Sequence, residues 1–218
     1  MSKNLNSKII IRTPNWLGDL IISTGFISAV LDEYPYSEVD LIVKSGFESI
    51  PLKHRGKIII FDSKLNSAGD FGVKLRKDNY DIFFVLPPSF SSAWMAFKSK
   101  VPMRIGYAGQ FRNILLSYSK KFQNKPRSEH ILKEYINLLS PNVPIEKYPP
   151  FLEISNKWLE KNLNSFEYQL PKSFFVFSPG AAYGPAKQWP IEYFRTLALK
   201  LNNFFKTEIL ILVTYQYI

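Results

Sequence analysis

One carboxylate stands where the sequence turns from a strand into a helix. In Lys8-Ile9-Ile10-Ile11-Arg12-Thr13-Pro14-Asn15-Trp16-Leu17-Gly18-Asp19-Leu20 a β-branched run is stopped by Thr13-Pro14-Asn15, because proline fixes φ and cannot donate to a ladder. From Leu20 the apolar residues recur at helical spacing through Ile21, Thr24, Ile27, Val30 and Leu31. Asp19 therefore falls near a positive helix end, where free N–H groups favour a carboxylate or a bound phosphate. Two readings are open for it. It is a helix N-cap, or a general base that takes a proton from a sugar hydroxyl or similar nucleophile. Gly18 suits close approach of another group or a positive φ. A second candidate is Lys187, in the loop Pro179-Gly180-Ala181-Ala182-Tyr183-Gly184-Pro185-Ala186-Lys187-Gln188-Trp189-Pro190. A lysine just ahead of a helix adds a point charge to helix-end N–H groups and suits a phosphate; a solvated loop lysine is the plain alternative. Pro190 suits an early helical position.

These residues need elements to hold them. The pattern predicts strands at 8–11, 38–43, 57–61, 80–86, 104–107, 173–178 and 208–213. Helices are expected at 20–34, 71–77, 89–98 (capped by Ser89 or Ser91), 128–139, 158–166 and 191–204. Strands alternating with helices imply a parallel sheet with right-handed crossovers. The strand runs are continuously apolar, as a sheet covered on both faces requires. Each βα junction carries small or polar groups: Gly18-Asp19, Pro87-Pro88-Ser89-Phe90-Ser91-Ser92 and Ser178-Pro179-Gly180-Ala181-Ala182. In open α/β sheets ligands bind at the carboxyl ends of the strands. Prolines 141, 144, 149 and 150 mark a crossing between an N-terminal domain, 1–150, and a second segment, 151–218. That segment holds one βαβ unit, too little to bury both faces of a sheet unaided. The edge at Ile209 to Val213 is then an aggregation liability.

Composition narrows the classes. The 218 residues contain no cysteine, so disulfides and thiolate metal sites are excluded, and His54 and His130 are too few for an ordinary histidine-rich metal site. No GxGxxG or GxxxxGK[ST] pattern occurs, which removes the usual support for dinucleotide or P-loop binding. A net charge of +10 suits an acidic partner: nucleic acid, anionic lipid or a phosphorylated substrate. Arg104, Arg112, Lys120, Lys121, Lys125 and Arg127 alternate with Tyr107, Phe111, Tyr118 and Phe122. They fit no nucleic-acid module, so nucleic acid is not the expected partner. His130 reads as a packed or capping histidine. No apolar run is long enough to span a membrane, and no signal-peptide core precedes the first strand. The expected location is the cytoplasm.

Four stretches together resemble the ADP-heptose:lipopolysaccharide heptosyltransferases, glycosyltransferase family nine, of the heptosyltransferase II type. They are Arg12-Thr13-Pro14-Asn15-Trp16-Leu17-Gly18-Asp19, Leu86-Pro87-Pro88-Ser89-Phe90-Ser91-Ser92-Ala93, Arg104-Ile105-Gly106-Tyr107 with Arg112 and Leu115-Leu116, and Pro179 to Pro190, the most specific of the four. His130 and Tyr135 sit where the family has an H…Y helix. The resemblance implies a GT-B fold of two Rossmann-like domains. On this resemblance the expectation is a complete first domain followed by the first βαβ unit of the second. It implies an inverting transfer of heptose from ADP-heptose to the lipopolysaccharide inner core, without a metal or other cofactor. Asp19 would be the base and Lys187 would stabilise the departing diphosphate, with donor contacts also from Gly18, Ser178, Gly180 and Ala181. Acceptor contacts would come from Asn15, Trp16, Ser89, Ser92, Arg104 and Arg112. The implied partners are the nucleotide sugar, the phosphorylated acceptor and, peripherally, the cytoplasmic face of the inner membrane. The family continues through further βα units and a DxGxxH donor loop absent from this sequence. The expectation is therefore a C-terminally truncated member, or one part of a split protein with a separately encoded C-terminal half. The alternative is an inactive remnant or a noncatalytic module that binds acidic glycolipid.

Overall fold

The structure is a computed structural model that describes residues 6–122, 129–140, 143–163, 169–180, 186 and 188–212. The chain divides into two compact units, Met1–Trp158 and Leu159–Ile218.

The first unit is built on a six-stranded parallel sheet. Its strands are β1 (Lys8–Arg12), β2 (Glu38–Lys44), β3 (Ile58–Phe61), β4 (Ile82–Val85), β5 (Met103–Tyr107) and β6 (Tyr118–Lys120), in the order β3-β2-β1-β4-β5-β6. The order reverses between β1 and β4, and the crevice at such a switch point is where open α/β sheets bind ligands. Strand side chains alternate between faces. On β1, Ile9 and Ile11 enter one core with α1 (Leu17–Glu33) and α5 (Ile131–Leu139), while Ile10 enters the other with α2 (Ala68–Lys74) and α3 (Phe90–Lys98). All three isoleucines are fully buried, so the continuous apolar run reports a sheet covered on both sides.

Close backbone approach fixes the helical layers. A Cβ added at Gly25 on α1 would stand 2.3 Å from the Tyr148 carbonyl oxygen and 2.8 Å from Leu132 on α5. Arg55 donates to the carbonyls of Leu31, Tyr34 and Ser37, satisfying the C-terminal end of α1. The fully buried Asp40 on β2 accepts from the Lys57 N–H at 2.6 Å and from the Tyr80 hydroxyl. Beyond Pro150 the chain stays tied to this unit. Phe151 N–H donates to Thr24 Oγ1, Glu153 N–H to Pro51 O, and Trp158 Nε1 to Ser49 O.

Several boundaries depart from expectation. The first helix starts at Leu17, not Leu20, so Asp19 lies inside its first turn and Trp16 is the N-cap; the N-cap reading of Asp19 does not hold. Gly18 is likewise helical, has no positive φ, and has open space where a Cβ would go. The helix expected at 71–77 begins at Ala68, where Ser67 caps it, and passes into a 3-10 turn at Leu75–Asp78. A short helix α4 (Arg112–Leu115) and the edge strand β6 were not anticipated, because four and three residues are too few for a periodicity. His130 is the N-cap of α5, its Nδ1 accepting from the Leu132 N–H at 3.2 Å, as expected for a capping histidine.

A helix, α6 (Asn156–Leu163), follows, and within the second unit β7 (Phe174–Phe177), α7 (Ile191–Phe205) and β8 (Glu208–Ile211) form a parallel βαβ unit. None of its described residues is buried.

Candidate functional site

The β1–α1 turn and the β4–α3 turn meet at the switch point and open a cavity of about 290 Å³. The first turn contributes Pro14, Asn15, Trp16 and Asp19, and the second Leu86, Pro87, Pro88 and Ser89. The far wall is Tyr107 at the end of β5, Phe122, and Ile131, Glu134 and Tyr135 from α5. Apolar walls with a few convergent polar groups are the usual make-up of a small-molecule site. Asp19 is partly exposed at the cavity wall, so its carboxylate can receive a proton from a hydroxyl seated there. Tyr107 donates its hydroxyl to the Glu134 carbonyl oxygen at 2.7 Å and stacks on Phe122 with ring centroids 4.0 Å apart. Burial, then the Glu134 charge, pushes the Tyr107 phenol up to about 12. Ser89 caps α3: its Oγ accepts from the Ser92 N–H at 3.3 Å and donates to Ser92 Oγ at 2.9 Å.

A second cavity, about 330 Å³, lies at the same edge on the other face of the sheet. It is lined by Arg12, Asn15, Lys44, Phe61, Ser63, Ala68, Ser91, Ser92 and Met95, so Asn15 is a wall of both cavities. Arg12 ends β1 on the Ile10 face and is 2% exposed. Its Nη1 donates to the carbonyls of Thr13 at 2.9 Å and Ile42 at 3.2 Å, and its Nη2 to Asn15 Oδ1. Its Nε is buried without a hydrogen-bond partner. Burial pulls the guanidinium down to about 10, which leaves it cationic at neutral pH.

The structure brings Asn15, Trp16, Asp19 and Ser89 together in the first cavity, and Ser92 with Asn15 in the second. Arg104 and Arg112 line neither. Arg104 folds onto the carbonyls of Val101, Pro102 and Leu115, beside Arg76, Lys98 and Lys100 in a separate basic cleft. Arg112 is buried and donates to the carbonyls of Tyr107, Ala108 and Pro88, which makes it the clamp that holds the Pro88 wall. Lys120 is likewise turned onto the Asn137 carbonyl. Much of the basic and aromatic series is thus spent inside the domain. Ser178 and Gly180 follow β7 in the second unit; Ala181, Lys187, Lys125 and Arg127 lie outside the described residues. Sequence reasoning missed Glu134 as a wall of the first cavity, and Arg12 and Lys44 in the second. The signal for Arg12 was present: an arginine closes a run of three buried isoleucines. Among the described residues no group of three or more histidines and carboxylates could hold a metal, and no helix is long and apolar enough to cross a membrane.

Residues 69–212 match the profile of glycosyltransferase family 9 (heptosyltransferase). The chain is 27% identical over 215 residues to lipopolysaccharide heptosyltransferase 2 of Escherichia coli, covering 89% of this chain and 60% of that protein. It is 26% identical to lipooligosaccharide heptosyltransferase 2 of Haemophilus influenzae, covering 87% of this chain and 59% of the relative. Among solved structures, E. coli ADP-heptose lipopolysaccharide heptosyltransferase II superposes with a TM-score of 0.80 at 25% identity, over 94% of this chain and 63% of that one. The chain therefore spans about 60% of the length of the curated relatives it matches.

Proposed function

The chain belongs to glycosyltransferase family 9, the heptosyltransferases, and from that premise we propose that it carries the acceptor side of an inverting heptose transfer from ADP-heptose to a lipopolysaccharide core. The observation that supports this most is the position of Asp19 at the switch-point cavity, facing a wall of aromatic rings and Glu134. In this reading an acceptor hydroxyl sits against Asp19. Its oxygen forms the new bond to the anomeric carbon as the bond from that carbon to the diphosphate breaks on the opposite face. The proton passes to the Asp19 carboxylate, and the electron pair leaves with the diphosphate. Lys187, with Ser178, Gly180 and Ala181, would stabilise the charge that grows on the leaving group, where a preplaced cation acts most strongly. A net charge of +10 suits work on a phosphorylated glycolipid at the anionic cytoplasmic face of a membrane.

The test is release of ADP from ADP-heptose in the presence of a core acceptor. Asp19→Asn should lower turnover by about 10²–10⁴-fold, the usual range for losing a general base, with the thermal midpoint unchanged. Equal turnover in both proteins would remove Asp19 from the reaction. A second reading is a noncatalytic module that retains acceptor binding. It is favoured by the single βαβ unit of residues 159–212, which has no buried described residue. Acceptor binding without ADP release in the wild-type chain would select it.

A further inference from the structure

Pairing the two cavities across Asn15 shows a division of charge. The first holds Asp19 and Glu134 among aromatic rings. The second holds Arg12 and Lys44 with the hydroxyls of Ser63, Ser91 and Ser92, and no carboxylate lines it among the described residues. The nearest acid in sequence, Asp62 beside Ser63, turns its carboxylate back onto the Lys64 N–H at 2.8 Å. Ser91 and Ser92 stand in the first turn of α3, whose positive end adds to the field.

Arg12 makes this more than a polar hollow. A guanidinium has five N–H donors, and the three bonds of Arg12 go to two carbonyls and an amide, all neutral. The Nε is left without a partner. A buried cation without a counter-ion is costly to keep, and the bonds of Arg12 tie down two carbonyls and Asn15 without supplying one. The guanidinium is held rather than free. Phe61 lies under it, 5.3 Å from ring centroid to the guanidinium carbon, and the Thr13 hydroxyl donates to the same Ile42 carbonyl at 2.9 Å. A planar fork fixed at the wall of a hydroxyl-lined cavity, with a second cation on a neighbouring strand end, matches an oxyanion.

We infer that the second cavity binds an anionic group, a carboxylate or a phosphate, carried by the same molecule that presents its hydroxyl to Asp19. Asn15 is the hinge of this arrangement. Its Oδ1 is engaged by Arg12, which leaves its amide N–H₂ to donate to the ligand between the two cavities. Binding of the anion would then order the wall of the cavity in which Asp19 acts. The identity of the carrier rests on the acceptor reading above; the anion site does not.

Titration calorimetry of the full chain with inorganic phosphate and with glucuronate tests the site without any transfer reaction. At least one should bind saturably, more weakly at higher ionic strength. Lys44→Ala, at an exposed position, should weaken it by about tenfold, the loss of one charge-assisted contact. Arg12→Gln should abolish it, provided circular dichroism shows the variant folded; Lys44→Ala carries the test if it is not. Binding of phosphate alone assigns a phosphorylated carrier, and binding of glucuronate alone a carboxylated one. Asp19→Asn should keep the anion affinity while losing transfer, which separates this site from the catalytic assignment. No saturable binding of either probe, or binding that Lys44→Ala leaves unchanged, overturns the site. Binding of ADP that Lys44→Ala weakens would assign the cavity to the nucleotide and overturn the acceptor assignment.

Discussion

At the scale of single residues, the first cavity depends on side chains whose polar ends are turned inward to hold its walls. Tyr107 is the clearest case. It sits at the end of β5, 8% exposed, with its hydroxyl on the Glu134 carbonyl and its ring on Phe122. Tyr107→Phe should keep the stack and lose the hydrogen bond, at a cost of about 1 kcal/mol at neutral pH in urea unfolding. The pH dependence has a definite sign. The folded phenol titrates at about 12 against 10 for a free tyrosine, so between those values the folded state holds a proton that the unfolded state has released. Stability from this group is complete below pH 10 and is lost as pH rises toward 12. Tyr80, raised by burial and by Asp40, acts in the same direction. Urea unfolding at pH 9 and 11 should show a shallower decline in Tyr107→Phe than in the wild type; parallel declines would refute the assignment. Tyr107 was visible in the sequence only as one aromatic among several. Its partner Glu134 lies 27 residues away, a distance that no local pattern reports.

At the scale of elements, α5 closes the first cavity, and Gly25 on α1 lets the Leu132 side chain of α5 and the main chain at Tyr148 approach closely. Alanine there should gain up to about 1 kcal/mol in helix propensity. Its Cβ, however, would meet a main-chain oxygen at 2.3 Å, and backbone cannot yield as a flexible side-chain tip can. Overpacking of this kind costs about 1–3 kcal/mol, so the clash should win. Gly25→Ala is expected to lower the urea midpoint by pushing the main chain at Tyr148 off α1; a stabilised variant would show that this segment shifts freely. The elements themselves were largely legible. β1 and β4 are built on unbroken apolar runs and β2 carries Leu41-Ile42-Val43, while α1 and α7 are long enough to read as helices. What failed was the start of α1. Trp16 occupies the N-cap position without a side-chain capping hydrogen bond, so the usual polar N-cap signal pointed to Asp19 instead.

At the scale of the whole molecule, the two units differ in how they are held together. The first has cores on both faces of its sheet. The second exposes Leu199 at 58%, Phe204 at 81% and Ile211 at 60%, since two strands and one helix cannot cover each other fully. Hydrogen exchange should therefore find the amides of β7, α7 and β8 exchanging at least about tenfold faster than those of β1 and β4; equal protection would mean that the second unit is more firmly packed than its exposure implies. The sequence alone was enough for the α/β class, the parallel sheet, the βα turns at 12–19 and 86–92 and the family resemblance, because these depend on local chemistry and on the order of elements. Tertiary structure decided which distant groups meet. The parallel register brings the βα turns of the first unit to one edge, and there it joins Asp19 to Tyr107 and Glu134 on one face of the sheet, and Arg12 to Lys44 and Ser63 on the other. It also decided which charges stay inside. Arg104 and Arg112 read as ligand contacts along the chain, but main-chain carbonyls of the same domain hold those guanidinium groups.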